Sequence, residues 1–208
     1  TGVDYIITTI RAGGDAGRLF DEQTCLAHGV LGQETTGAGG FAMAIRSVPT
    51  LVYYCTLARE VANPGHLIFN FTNPSGIITQ ALRSKGFDNV YGICDAPSGF
   101  IKQLEEILEI PYGTLDIECY GLNHLSWFRN AKVNGRDVQR ELLDNPRTYE
   151  HSEMRLFTRE MARISGDCML NEYLYFYYRR VKSLSMIQKA DHPRGEMIYL
   201  INRELEEQ

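Results

Sequence analysis

Two short stretches bring together residue types that could do chemistry. "YGICDAP" (91–97) ends an apolar run in a thiol beside a carboxylate, Cys94 and Asp95; "YGLNHLSWF" (120–128) sets an amide beside an imidazole, Asn123 and His124. A thiolate and an imidazole suit a borderline divalent cation. Two such ligands are too few for a closed structural site, and they leave coordination positions open to substrate oxygens and water, as catalysis needs. The spacing alone is a weak sign, because an isolated Cys or His is more often a core residue. Arg11, Arg18 and Arg194 are candidates for anion recognition, since the guanidinium fork matches phosphate oxygens. The glycines of "RAGGDAGR" (11–18) would let backbone N–H groups close on the same anion. "NEYLYFYYRR" (171–180) carries four tyrosines, Tyr173 first. Most aromatics in such a run are core, and a tyrosine acts as a base only where a nearby cation lowers its pKa. Glu34 and Asp95 are further carboxylates in loops, where such residues are ordinarily solvated.

The elements that must position these groups follow a βαβα rhythm. "VDYIITTI" (3–10) is a nearly continuous apolar, β-branched run, expected to be a strand covered on both faces. Central strands of that kind rarely start a domain at residue three, so the chain is expected to begin inside its fold. Helical spacing follows at 19–30, then a second glycine-rich loop at 31–40. A long amphipathic helix over 41–61 is interrupted by Pro49. "HLIFNFT" (66–72) and "NVYGIC" (89–94) read as strands, with helices at 77–85 and 98–110. This pattern predicts a parallel, doubly wound α/β sheet. Ligands bind such sheets beyond the C-terminal strand ends, where the polar clusters fall. "TLDIECYGLNHLSWFRNAKVNG" (114–135) reads as β with a hairpin turn at "NG", and the text turns helical after 137. The expected division is a dinucleotide-binding remainder over 1–98 and part of a second, α+β catalytic and metal-binding domain over 99–208.

Composition excludes several classes. With 208 residues and 44% hydrophobic content the chain can bury a sizeable core. A net charge of -5 with interspersed signs argues against nucleic-acid binding and an anionic membrane surface. No uninterrupted apolar run approaches the roughly 20 residues of a bilayer span. Five scattered cysteines without CxxC spacing read as reduced thiols of a cytoplasmic protein, four of them small buried hydrophobes.

Taken in order, "IRAGGDAGR", "HGVLGQETTGAGGFAMAIRSVP", "NFTNPSG", "GICDAP", "GLNHLSWF", "NEYLYFYYRR" and "PRGEMIYLINRELEE" resemble glycoside hydrolase family 4, the NAD- and metal-dependent glycosidases, many acting on 6-phosphoglucosides. That family is an exception to two-carboxylate hydrolysis. The resemblance implies a Rossmann-like domain and assigns roles. Cys94 and His124 would hold the metal, usually manganese. Arg18 and Arg194 would hold the sugar 6-phosphate. Asn73 and Asn123 would contact the substrate, together with Glu34, whose part it leaves unassigned. Arg11 and Asn73 would lie along the cofactor. Tyr173 would be the base, with its neighbours in the tyrosine run one or two positions away as alternatives, and Asp95 the general acid. The implied reaction oxidises C3 with NAD, removes the acidified C2 proton, eliminates the aglycone, adds water and returns the hydride. A phosphorylated disaccharide or glucoside is the implied partner of a homo-oligomer, dimer or tetramer.

The family opens on a strand and Gly-rich dinucleotide loop that this sequence lacks. An internal portion is therefore expected, binding NAD weakly and without turnover alone. "CD" at 94–95 resembles α-glucoside members, while "CDAPSGF" and "GLNHLSWFR" are closer to 6-phospho-β-glucosidases; β is favoured, with 6-phospho-α-glucosidase or α-galactosidase/galacturonidase as alternatives. An NAD-dependent 2-hydroxyacid dehydrogenase would need no thiolate ligand, and a non-catalytic sugar-phosphate sensor would need no base.

Overall fold

The structure is a computed structural model that describes residues 2–207. In chain order the elements are β1 (Tyr5–Thr8), α1 (Gly14–Ala27), α2 (Gly37–Val61), β2 (Leu67–Asn70), α3 (Ser75–Ser84), β3 (Val90–Gly92) and α4 (Ala96–Leu108). There follow β4 (Leu115–Leu122), β5 (Leu125–Val133), β6 (Arg136–Asp137), α5 (Gln139–Asp144), α6 (Arg159–Ile164), β7 (Met169–Leu170), α7 (Tyr173–Tyr178), α8 (Arg180–Gln188) and α9 (Arg194–Glu206). Two 3-10 turns, Pro146–Tyr149 and Glu153–Leu156, lie between α5 and α6.

The chain divides into two compact units: residues 1–93 with 181–208, and residues 94–180. This differs from the expected cut at 98/99, chiefly because the last helix returns to the first unit. Its reason is polar: the Gly195 N–H donates to Glu22 of α1 at 2.8 Å, and Asn202 donates to Asp15.

In the first unit β1, β2 and β3 form a parallel sheet in that order, with Ile6, Ile68 and Val90 in register on one face. That face meets Leu51 and Cys55 of α2 and Ile78 and Leu82 of α3, all buried. The opposite face carries Tyr5, Ile7 and Tyr91, which are exposed in this chain, where the apolar run of β1 predicts cover on both faces. An unbroken β-branched run records strand propensity on both faces and cannot say what covers them. Among the described residues α2 is the one helix long and apolar enough to cross a membrane. Its residues Leu51, Cys55 and Ala58 are buried in this core, and Arg46 forms an ion pair with Asp21 of α1. One face of α2 packs on this core, and Phe41, Ile45, Tyr53 and Leu57 are exposed.

The second unit is built on an antiparallel sheet, β4-β5-β6, with β7 also on β5. Phe100 and Leu104 of α4 pack with Phe128, Leu142, Met154 and Met169, all at or near zero exposure. The Phe100 and Phe128 rings meet edge-on at 4.9 Å. Two tight turns set the sheet's register. Asn134 and Gly135, both at positive φ, join β5 to β6 as the "NG" signal predicts. Asn123 and His124 join β4 to β5, with Leu122 paired to Leu125 on either side. Gly121 makes that second turn possible: its φ is 121°, and a Cβ there would lie 2.4 Å from the Leu125 carbonyl oxygen.

Candidate active site

The first cluster belongs to the second unit. Cys94 lies two residues beyond the C-terminal end of β3, just ahead of α4. His124 is the second residue of the β4–β5 turn and takes φ 58°, a left-handed conformation uncommon outside glycine. The turn's geometry therefore dictates where the imidazole points. It brings Nε2 to 3.4 Å from the Cys94 sulfur. At that separation the thiol and the imidazole could both reach one divalent cation, and a soft sulfur beside an imidazole nitrogen is a donor set that such cations take. Among the described residues no group of three or more His, Cys, Asp or Glu is placed to hold a metal. The protein's share of such a centre is the pair, and the remaining positions are left to oxygen ligands.

Asp95 is the N-cap residue of α4, yet its side chain caps nothing; its Oδ1 lies 3.9 Å from the Cys94 sulfur. The carboxylate is exposed and free of the duty an N-terminal Asp usually performs. Asn123, beside His124, is also exposed.

The tyrosine run resolves by geometry. Tyr173 lays its ring on the His124 imidazole, centroids 4.5 Å apart and planes 23° from parallel. Tyr175 turns instead to Phe157, and Tyr177 and Tyr178 are exposed. Of the four, Tyr173 is the one that meets the Cys–His pair.

Two groups that sequence reasoning passed over stand behind this cluster. Glu153 Oε2 accepts from Asn171 Nδ2 at 2.7 Å and from the Glu172 N–H at 3.1 Å. Asn171, 2% exposed, in turn accepts the Tyr173 N–H on its side-chain oxygen at 3.2 Å. Burial pushes the Glu153 carboxyl up to about 7; the Glu172 N–H pulls against that rise without cancelling it. An Asn just ahead of a helix is a recognisable cap signal, so Asn171 was findable. A lone Glu in a polar, helix-like segment has no such signature.

The second cluster belongs to the first unit. Arg18 lies inside α1 rather than in a loop and is 5% exposed. Its Nε donates to Glu22 at 3.0 Å, and Nη1 is 3.2 Å from Glu34. Glu34 also accepts from Arg11 Nε at 2.9 Å, and Arg11 pairs with Asp15. Glu22 reaches across to the Gly195 N–H, next to Arg194, which is exposed as the first residue of α9. The structure thus joins Arg11, Arg18, Glu34 and the start of α9 in one network. Asn73, half-buried, follows β2 at a cis peptide bond to Pro74.

The glycines of "GQETTGAGG" have a packing reason. Gly37, Gly39 and Gly40 form the first turn of α2, and a Cβ at any of them would meet the backbone of residues 31–35 at 2.3–3.0 Å. The loop carrying Glu34 lies directly on that turn. Of the cysteines, Cys25, Cys55 and Cys168 are buried, and Cys94 is half-buried. Cys119 departs from the expected buried pattern because it lies on an exposed stretch of β4. Burial pushes the Cys25 and Cys55 thiols up, which keeps them protonated and inert.

Comparison with known proteins places these features. The sequence model described as "Family 4 glycosyl hydrolase" matches residues 1–110, and that of the family's C-terminal domain matches residues 119–208. The chain belongs to glycosyl hydrolase family 4. Among curated relatives, this family 4 chain is 39% identical over 142 residues to 6-phospho-beta-glucosidase BglT of Thermotoga maritima, covering 68% of the chain and 34% of the relative. It is 35% identical over 141 residues to 6-phospho-alpha-glucosidase 1 of Lacticaseibacillus paracasei, covering 66% and 32%. A solved structure of the Thermotoga maritima 6-phospho-beta glucosidase with manganese, NAD+ and glucose-6-phosphate superposes with a TM-score of 0.86 at 32% identity, over 98% of this chain and 48% of that one. The family 4 chain therefore spans about a third to a half of these relatives. Its two sheets, parallel then antiparallel, are the α/β and α+β parts expected.

Proposed function

We infer that this chain carries the metal- and base-bearing part of a 6-phosphoglucosidase that works with NAD and a divalent metal, manganese being the candidate, and that 6-phospho-β-glucosides are its substrates. The observation that supports this most is the convergence of Cys94, His124 and Tyr173, a thiol and an imidazole 3.4 Å apart with a phenol stacked on the imidazole. Cys94 and His124 would hold a divalent cation, which would supply Lewis acidity, and NAD would supply a hydride acceptor. Tyr173 removes the sugar's C2 proton, its phenol kept close to the cationic centre by the stack. Asp95, not engaged as a helix cap, gives a proton to the departing glycosidic oxygen. By resemblance, Arg18 and Arg194 take the 6-phosphate, Asn73, Asn123 and Glu34 the sugar, and Arg11 with Asn73 the cofactor. Because Arg18 is tied to two carboxylates, a phosphate would displace one of them rather than meet a free guanidinium. The reading includes a cytoplasmic homo-oligomer.

A second reading, 6-phospho-α-glucosides, is favoured by one observation: Asp95 follows Cys94, a pair that resembles the α-glucoside members, whereas many β-glucoside members have Asn there. The experiment is to incubate protein of the relatives' full length with each p-nitrophenyl 6-phosphoglucoside anomer, NAD and Mn2+ in deuterated water. The β-anomer should be hydrolysed with deuterium at C2, and chelation should abolish turnover. Hydrolysis without C2 exchange would overturn the mechanism; preference for the α-anomer would overturn the substrate.

A further inference from the structure

We propose that Glu153 is a positioning residue for this chemistry: through Asn171 it fixes the first turn of α7 and so holds the Tyr173 ring on the His124 imidazole. The inference rests on the functional reading above for its catalytic consequence, and on geometry for the rest. Helix α7 has six residues, and Glu172, ahead of it, makes no side-chain cap. Its first N–H groups find acceptors elsewhere. The Glu172 N–H goes to Glu153 Oε2, the Tyr173 N–H to the Asn171 side chain, and the Leu174 N–H to the Asn171 carbonyl. Asn171 can turn its oxygen to Tyr173 because its amide donates to Glu153 at 2.7 Å. Glu153 is itself anchored: its N–H donates to Gln103 of α4 at 3.0 Å, and Asn171 N–H donates to the Ser126 carbonyl of β5 at 3.1 Å. One carboxylate oxygen thus ties the base-bearing turn to the Glu153–Leu156 turn and through it to α4, while the Asn171 N–H ties the same segment to the sheet that carries His124. Removing that oxygen leaves the Asn171 amide and the Glu172 N–H without an acceptor, and α7 loses the cap that sets the Tyr173 ring. A misplacement of about 1 Å in a reacting group costs rate by about 100-fold while leaving ground-state binding largely intact.

The test compares Glu153→Ala, which removes the acceptor, with Glu153→Gln, which keeps an oxygen there. In full-length protein, E153A should lower kcat and the C2 exchange rate by about 10- to 100-fold with KM within about twofold, and E153Q should restore most of the loss. Unchanged kcat in E153A, or kcat and KM shifting together, would overturn the proposal. NMR of the His124 ring protons reports the stack independently of turnover: their ring-current shift should collapse in E153A and persist in E153Q, and an unchanged shift in E153A also overturns it. Absence of C2 exchange in the unaltered protein would refute the functional reading instead, and leave this one to the NMR result. Should E153A not fold, Glu153→Asp, which draws the carboxylate back by one methylene, should show the same losses.

Discussion

Replacing Glu153 by Gln should stabilise the protein, and do so more at high pH than at low. In the folded state this carboxyl titrates at about 7 because burial disfavours its charge, whereas its ordinary value is 4.5. The folded state therefore binds more protons than the unfolded state between those values. Stability falls as pH rises through that window, and above it the full cost of holding the buried charge is present. At about 1.36 kcal/mol per pH unit, the interval amounts to at most about 3 kcal/mol. A Gln is neutral at every pH and can present its oxygen to the same two donors, so it relieves this cost. Urea unfolding with chelator present should find E153Q more stable than the unaltered protein by about 3 kcal/mol at pH 8.5 and by about 1 kcal/mol at pH 5.5. Equal differences at the two pH values, or a variant destabilised at pH 8.5, would show that Glu153 is not held against its charge and would refute the reasoning.

Two further outcomes follow from the same structure. Gly121→Ala forces a Cβ to 2.4 Å from the Leu125 carbonyl oxygen at φ 121°, and should cost about 2–4 kcal/mol in chemical denaturation and weaken cation binding through the displaced His124 turn. An unaffected midpoint would contradict it. Arg18→Ala leaves the buried Glu22 without its counter-charge, while Glu34 keeps Arg11, and should destabilise by about 3 kcal/mol in the same assay, whatever its effect on substrate. A loss under about 1 kcal/mol would mean the network contributes little.

Much of the layout is legible in the sequence because it rests on local signals. Apolar runs mark β1 to β3, and "NG" fixes the β5–β6 turn. A long apolar-periodic stretch gives α2 in spite of Pro49, which sits inside it. Cys94 and His124 are legible as a pair only through the family resemblance, because what unites them is the positive-φ turn at His124, and no residue type announces that. The chain's return of 181–208 to the first unit is invisible for a similar reason: it depends on Glu22 and Asp15 meeting α9, contacts 173 and 187 positions apart. Arg18 reads as a loop residue beside glycines, yet it lies in α1, since Gly13 and Gly14 start the helix rather than prolong the loop. Glu153 was missed because burial, not identity, makes it unusual.

The central claim is that Cys94 and His124 share one cation. Diffraction from manganese-soaked crystals of the protein, recorded with anomalous signal, tests it directly. The account predicts one anomalous peak within bonding distance of both the Cys94 sulfur and His124 Nε2, lost in Cys94→Ser. A manganese bound elsewhere, with the thiol and imidazole still in mutual contact, would contradict it.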